Sequence, residues 1–216
     1  MPELHLKRML QQGLDSLSLS LPESAQDALL AYLHTLMQWN KAYNLTAVHD
    51  PQQMVIRHLL DSLAFQPYLP QQSPLLDVGT GAGLPGLVLA IANPKLSFYL
   101  LDSLGKRIVF LQKVVRDLGL KNVEIIESRV EAYTPGFAFA VIMSRAFSSL
   151  AQFIALTAHL SDQQTYYCAF KGKLLSSELD SVQGQIKQLT IHALTIPHLD
   201  AERHVLIFNK SEGSPA

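Results

Sequence analysis

The sequence lacks most of the features that mark secreted, metal-binding or membrane proteins. Its single cysteine, Cys168, excludes an internal disulfide or a cysteine-rich zinc site, and favours a reducing compartment. The 8 histidines are scattered without paired ligand spacings, so no metal is expected. Glycines and prolines break the apolar runs, and the N-terminus lacks the layout of a signal peptide. We therefore expect a cytoplasmic protein with no membrane partner.

The chain also lacks an excess of charge of either sign. It has 17 Lys plus Arg against 18 Asp plus Glu, and 48% of its 216 residues are hydrophobic. This composition excludes an intrinsically disordered chain and provides enough apolar residues for a full core. It gives no global indication of a nucleic-acid partner, so any basic surface must be local. At about 150 residues per domain, the length suggests one α/β domain with a smaller attached piece.

The first part of the chain, residues 1–72, is predicted to form a helical extension. Apolar residues recur at steps of three and four between Ser24 and Met37, and again after Pro51, as in amphipathic helices. Three prolines between Gln66 and Pro74 then indicate a boundary.

From Leu75 onward, short apolar runs alternate with helical patterns, which is typical of a parallel α/β sheet. The predicted strands are Leu75–Val78, Ser97–Leu101, Val123–Glu127, Phe139–Met143 and Thr165–Phe170. The predicted helices are Pro85–Ala92, Lys106–Leu118, Leu150–His159 and Leu175–Gln188. Two extended segments, Leu189–Pro197 and Glu202–Asn209, are predicted to form a C-terminal antiparallel hairpin. Residues 73–210 thus form the predicted α/β core, with residues 211–216 as a polar tail.

A glycine-rich loop after the first predicted strand is the strongest candidate site. Formally, Gly81-x-Gly83-x-x-Gly86 matches a dinucleotide-binding fingerprint, and Asp102 lies near the spacing of its ribose-binding acid. Two residues argue against a dinucleotide. Pro85 removes an amide donor from the helix N-terminus, and the charge of Asp77 opposes a phosphate.

S-adenosylmethionine carries an ammonium and a sulfonium group and no phosphate, so it suits this loop better. The residues predicted to contact this donor in the loop are Asp77, Gly79, Thr80, Gly81 and Gly83. Asp102 is predicted to accept hydrogen bonds from the ribose hydroxyls. An NAD-dependent oxidoreductase using Gly81, Gly83 and Gly86 remains the alternative from another class.

Five motifs occur in a fixed order: Trp39–Thr46, Arg57–Ser62, Asp77–Gly86, Leu101–Arg107 and Ser144–Phe147. Together with the closing Glu202-Arg203-His204, they resemble the bacterial glucose-inhibited division protein B family, the small-subunit ribosomal RNA guanine-N7 methyltransferases. The resemblance extends from about Leu29 to Lys210.

This resemblance implies a Rossmann-like class I methyltransferase fold and an S-adenosylmethionine-dependent enzyme that methylates N7 of one guanine in 16S ribosomal RNA. By position, the family's donor-binding residues correspond to Gly79, Leu84, Val130, Glu131 and Arg145. The implied partner is the 30S subunit or an assembly intermediate, and we expect the chain to act as a monomer. The family usually has an acid where this chain has Ala140, which leaves open a nucleotide- or RNA-binding module without catalysis.

No residue is assigned as a general base. Guanine N7 has a lone pair and no proton, so alignment with the donor methyl group can supply catalysis. Arg145 is a possible orienting residue, either for the methionine carboxylate or for guanine O6.

Cations that could bind RNA are concentrated on the helix after Asp102. Lys106 and Arg107 begin it and lie close to the expected donor site, and Lys171 follows the fifth strand. Lys113 and Arg116 fit a solvated helix face equally well. Phe147 is a candidate for stacking on RNA bases, whereas the helical spacing of Trp39 and Tyr43 favours core positions.

Overall fold

The computed structural model describes residues 2–145, 147, 149–174 and 176–211. Its N-terminal part is helical, and an Asp50 side chain that accepts from the Gln53 amide at 2.8 Å caps the third helix. In order, the elements are α1 (Pro2–Ser16), α2 (Glu23–Tyr43), α3 (Pro51–Met54), a π-helical segment (Val55–Leu60), α4 (Asp61–Leu63) and a 3₁₀ turn (Gln66–Tyr68). No helix in these described ranges is long and apolar enough to cross a membrane.

The remaining elements form a seven-stranded α/β sheet. The strands are β1 (Leu75–Val78), β2 (Phe98–Asp102), β3 (Val123–Glu127), β4 (Val141–Ser144), β5 (Tyr166–Lys171), β6 (Ile186–Ala193) and β7 (His204–Lys210). The intervening helices are α5 (Gly86–Ala92), α6 (Gly105–Asp117), α7 (Leu150–Thr157) and α8 (Ser176–Asp180), with 3₁₀ turns at Val130–Ala132 and Ala158–Leu160. The strand order is β3-β2-β1-β4-β5-β7-β6. The first five strands are parallel, and β7 is antiparallel to β5 and β6.

Alternate residues of the central strands pack into two cores, one on each face of the sheet. Leu75 faces the core formed with the N-terminal helices, α5 and α6, whereas Leu76 faces the core formed with α7. The N-terminal helices therefore cover one sheet face and share its core. The boundary at residue 72 between the helical extension and the α/β core remains a prediction.

The predicted open, mostly parallel sheet with a C-terminal antiparallel hairpin is confirmed. The prediction of one helix over 175–188 is wrong where it overlaps β6, and Leu175 itself lies outside the described residues. Helix α8 ends at Asp180, Gly184 has a φ of +82°, and β6 begins at Ile186. A left-handed glycine turn thus ends the helical region before the strand. The fourth strand also begins two residues later than predicted, at Val141.

Candidate functional site

The loop between β1 and α5 turns through three glycines in the left-handed region. Gly79, Gly81 and Gly83 have φ values of 69°, 63° and 94°. A Cβ atom at Gly83 would also lie 2.8 Å from the Cβ of Leu87. The backbone conformation therefore favours glycine at all three positions, and close packing also requires it at Gly83.

Asp77 supports this loop from beneath. Its Oδ2 accepts hydrogen bonds from Thr80 Oγ1 at 2.7 Å and from the Gly86 amide at 2.8 Å. Burial raises the pKa of Asp77 to about 6, although both hydrogen bonds oppose the rise. Asp77 thus occupies the amide at the start of α5 that a pyrophosphate would otherwise use, which argues against the dinucleotide alternative.

The N-terminal helices and β4 also hold the loop in place. The buried Tyr32 hydroxyl on α2 donates to the Ala82 carbonyl at 2.8 Å, and burial raises the pKa of this phenol. Ser144 Oγ donates to the Val78 carbonyl at 2.7 Å. The chain's own contacts therefore hold the loop on both of its sides.

Asp102 ends β2 beside the loop and is only 3% exposed. Its Oδ2 accepts from the Gly81 amide at 2.9 Å, and its Oδ1 accepts from the Leu104 amide at 3.0 Å. Arg107 forms an ion pair with Oδ2 at 3.0 Å. These contacts keep the carboxylate at the carboxyl edge of the sheet, in the position expected for binding a ribose.

A cavity of about 400 Å³ opens at this edge. Four of the predicted donor-binding residues line it: Gly79, Asp102, Val130 and Glu131. Its charged side chains are two acids, Asp102 and Glu131, and two arginines, Arg107 and Arg129, so the lining is balanced in charge. This balance, and the Asp102 carboxylate in the cavity lining, fit a donor with a ribose and no phosphate.

Sequence reasoning missed part of the cavity wall. The lining residues that were not predicted are Val78, Leu101, Ser103, Ser128, Arg129, Gln152 and Leu156. The cavity is also lined by Phe147 and Arg107, which were predicted to contact RNA. Position in the sequence could have indicated two of the residues that were not predicted, because Ser128 and Arg129 directly follow β3 at the edge where ligands of open α/β sheets bind. Phe147 stacks on Phe153 with ring centroids 5.2 Å apart, so α7 helps to position it.

The other predicted donor residues lie outside this cavity lining. Asp77, Thr80, Gly81 and Gly83 form the frame of the loop, and Leu84 packs partly buried against the core that contains the N-terminal helices. Arg145 forms an ion pair with Asp61 at 3.3 Å. The assignment of donor contacts to these residues stays a prediction.

The predicted RNA-binding cations all make intramolecular contacts. Lys106 Nζ donates to the Tyr43 carbonyl at 2.9 Å, which ties α6 to the end of α2. Arg107 pairs with Asp102, and Lys171 pairs with Glu178 at 2.5 Å. Their contact with RNA therefore stays a prediction, and it requires these side chains to share or exchange partners.

Trp39 and Tyr43 form an aromatic cluster at the edge of the core. Their rings stack with centroids 5.2 Å apart, and Trp39 also contacts Phe110 on α6. Tyr43 is 44% exposed, so its ring lies at the margin of this cluster.

The sheet order, the glycine loop after β1 and the acid at the end of β2 define a Rossmann-like S-adenosylmethionine-dependent methyltransferase of class I. Solved structures of this fold superpose on the chain. A SAM-dependent methyltransferase from Aquifex aeolicus gives a TM-score of 0.57 at 18% identity, with 77% of this chain and 97% of that chain covered. The human methyltransferase 10 domain containing protein gives 0.58 at 14% identity, with 88% and 99% covered.

Sequence relatives identify the family. The family model described as "GidB: rRNA small subunit methyltransferase G" matches residues 25–206. A ribosomal RNA small subunit methyltransferase G from Alteromonas mediterranea is 46% identical over 96% of this chain and 97% of its own length. A protein of the same name from Pseudomonas aeruginosa is 46% identical over 94% of each chain. The chain belongs to the GidB family of small-subunit ribosomal RNA methyltransferases, and it is an S-adenosylmethionine-dependent enzyme.

Proposed function

We propose that this enzyme transfers a methyl group from S-adenosylmethionine to N7 of one guanine in 16S ribosomal RNA. The observation that carries the proposal is the cavity of about 400 Å³ at the sheet edge that brings Gly79, Asp102, Val130 and Glu131 together in a member of this family. The partner is the 30S subunit or its assembly intermediate in the cytoplasm, and the enzyme acts as a monomer.

The chain's own residues can hold the donor by its ribose and adenine. Asp102 offers carboxylate oxygens to the ribose hydroxyls, while Leu101 and Val130 provide apolar surface beside it. The bound donor supplies an electrophilic methyl group attached to a sulfonium. Gly79 lines the same cavity without a side chain, which allows close approach of a ligand to the backbone.

No proton needs to be removed from guanine N7, so the enzyme requires orientation and not a general base. The support for this comes from the rigid frame of the loop, which Asp77, Tyr32 and Ser144 hold from three elements. Fixed alignment of two reactants can contribute several kcal/mol to the rate. Lys106, Arg107 and Lys171 are proposed to contact RNA phosphates around the donor cavity.

The proposal is tested by transfer of radiolabelled methyl groups to 30S subunits and to deproteinised 16S RNA from a strain that lacks a GidB family gene. We expect one methyl group per RNA, located on N7 of guanine by mass spectrometry of the digested RNA. Methylation at another atom or on another RNA would contradict the proposal.

A binding experiment separates the donor site from the dinucleotide alternative. Calorimetry is expected to detect binding of S-adenosylhomocysteine and none of NAD. The Gly79→Asp variant should lose this binding, because it adds a side chain and a charge to the cavity wall. Retained affinity in that variant would contradict the placement of the donor.

A further inference from the structure

A second, smaller cavity of about 170 Å³ lies at the same edge of the sheet. It shares no described lining residue with the donor cavity. Its polar lining consists of Asp61, Arg145, Lys171, Arg203 and His204. We refer to it below as the arginine pocket.

The arginine pocket is built from segments that are far apart in the sequence. Asp61 begins α4, Arg145 follows β4, and Lys171 ends β5. Lys171 is paired across the sheet with His204 at the start of β7. Two motifs with no role in the donor site, Arg57–Ser62 and Glu202-Arg203-His204, therefore meet at this cavity.

One carboxylate orients both arginines. Asp61 is only 6% exposed, and its Oδ1 accepts from Arg203 Nε at 3.0 Å while its Oδ2 lies 3.3 Å from Arg145 Nη2. Two guanidinium groups held this close would repel each other without the acid. Asp61 thus fixes the two guanidinium groups on one wall of the pocket.

The pocket keeps unused hydrogen-bond donors and an excess of positive charge. Arg145, Lys171 and Arg203 carry three positive charges, against the two negative charges of Asp61 and Glu178. Each guanidinium has five N–H donors. Among the described residues, Arg145 forms an ion pair with Asp61, and Arg203 donates two of its N–H groups. The site therefore suits an anion of single charge, and guanidinium groups match phosphate geometry well.

The pocket also lies beside the donor site without overlapping it. The charge of Arg145 acts on Asp77 beneath the glycine loop, where it opposes the rise of that pKa. Strands β1 and β4 are neighbours in the sheet, so the ends of β1 and β4 place the two cavities side by side. A nucleotide whose base reaches the donor cavity would have its backbone near the arginine pocket.

We infer that the arginine pocket binds a backbone phosphate of the acceptor RNA next to the methylated guanine. Arg203 is the phosphate ligand, Asp61 is its positioning residue, and Arg145 shares that carboxylate from the side of the donor site. A phosphate suits this pocket better than a neutral base, because its charged lining carries a net positive charge and its free N–H groups belong to guanidinium groups. The inference rests on the proposed function, since it takes ribosomal RNA as the acceptor.

The test measures binding of the full chain to deproteinised 16S RNA and to 30S subunits over a series of KCl concentrations. We expect Arg203→Gln to weaken binding and to reduce the slope of log K against log salt by about 0.7–0.9, the value of one lost phosphate contact. Arg203→Lys keeps the charge and should keep the slope, with affinity lowered several-fold because lysine lacks the planar fork. Binding of S-adenosylhomocysteine should match wild type in both variants.

Lys121→Gln is the matched control, because Lys121 is exposed and precedes β3 at the opposite edge of the sheet. It should change neither the slope nor the affinity. An unchanged slope in Arg203→Gln would overturn the inference, and affinity lost without a change of slope would indicate a base contact or a structural role. If Arg203→Gln fails to fold, wild-type RNA affinity in Arg203→Lys would overturn it. Wild-type protein that binds 16S RNA through Arg203 without methylating N7 would instead contradict the proposed function alone.

Discussion

At the scale of single residues, the two acids that flank the glycine loop have different tasks. Asp77 is turned inward to Thr80 and Gly86, whereas Asp102 lines the cavity with Arg107 beside it. Asp77 lies just before the glycine loop, near the end of β1, and Asp102 ends β2. From the sequence, both acids were predicted to contact the donor directly. The structure supports the cavity position for Asp102 and gives Asp77 a place in the frame of the loop.

The position of Asp102 leads to a prediction for donor affinity. We expect Asp102→Asn to raise the Kd of S-adenosylhomocysteine by about 10-fold to 100-fold, because hydrogen bonds to charged groups contribute about 1.5–3 kcal/mol. Calorimetry on the purified variant measures this change. The control is Asp117→Asn, which removes an acid of similar type that pairs with Lys113 at the far end of α6. Equal affinities for Asp102→Asn and wild type would show that this carboxylate does not bind the donor.

Asp77 leads to a prediction about pH and stability. Its pKa is raised from 3.8 to about 6 in the folded protein, so between these values the folded state binds more protons than the unfolded state. The free energy of unfolding contributed by this group therefore falls as pH rises from about 4 to about 6, by up to about 3 kcal/mol. Urea unfolding of wild type and Asp77→Asn across this range measures the difference, because asparagine keeps an acceptor oxygen and does not titrate. If the free energy of unfolding changed with pH in the same way in both proteins, the raised pKa would not belong to Asp77.

At the scale of elements, the loop from β1 to α5 depends on close packing as well as on backbone conformation. A Cβ atom at Gly86 would lie 2.6 Å from Asp77 Oδ2 and 2.5 Å from Leu100 Cδ2. Gly86 is therefore the glycine that lets the start of α5 approach β1 and β2.

We expect Gly86→Ala to destabilise the protein by about 1–3 kcal/mol, in the range of overpacked cores, and to weaken donor binding because the Asp77 contact is displaced. Gly119→Ala provides the comparison, since Gly119 has a φ of +63° but no atom within 4 Å of an added Cβ. That variant should lose only about 1 kcal/mol from backbone strain and should keep donor affinity. Urea unfolding and calorimetry give both values. Weaker donor binding in Gly119→Ala than in Gly86→Ala would be inconsistent with this account.

The elements themselves were largely predictable because their patterns are local. Strands β1 and β3 occupy the residues that their apolar runs predicted, and α5 and α6 begin within one residue of the prediction. The π-helical segment at Val55–Leu60 was not predicted, since its apolar spacing resembles that of an ordinary helix. The helix predicted over 175–188 failed because the conformation of Gly184 and the pairing of β6 with β7 depend on distant residues.

The site was predictable only where its residues directly follow strands. Gly79 and Asp102 were found because open sheets bind ligands at the carboxyl ends of their strands. The link between Asp61, Arg145 and Arg203 was not found, because three distant segments contribute one side chain each. No periodicity or spacing in the sequence encodes which of these charges become partners.

At the scale of the whole molecule, the N-terminal helices form part of the site's support. They share a core with one face of the sheet, and Tyr32 binds the carbonyl of Ala82 within the glycine loop. Lys106 joins α6 to the end of α2, and Asp61 pairs with arginines that follow β4 and precede β7. These contacts connect the helical segment to the α/β core at three separate points, one of them in the glycine loop.

We therefore predict that the whole described structure unfolds as one cooperative unit. The only tryptophan, Trp39, lies on α2, so its fluorescence reports on the N-terminal helices, while far-UV circular dichroism reports on the whole chain. Both signals should give the same urea midpoint. Adding S-adenosylhomocysteine at 100 times its Kd should raise the unfolding free energy seen by Trp39 by about 2.7 kcal/mol, although this residue does not line the donor cavity. An independent helical domain would instead show a separate Trp39 transition that the ligand leaves unchanged. Asp102→Asn is the control, because at the same ligand concentration its higher Kd should reduce the shift to about 0.4–1.4 kcal/mol while the midpoints stay coincident.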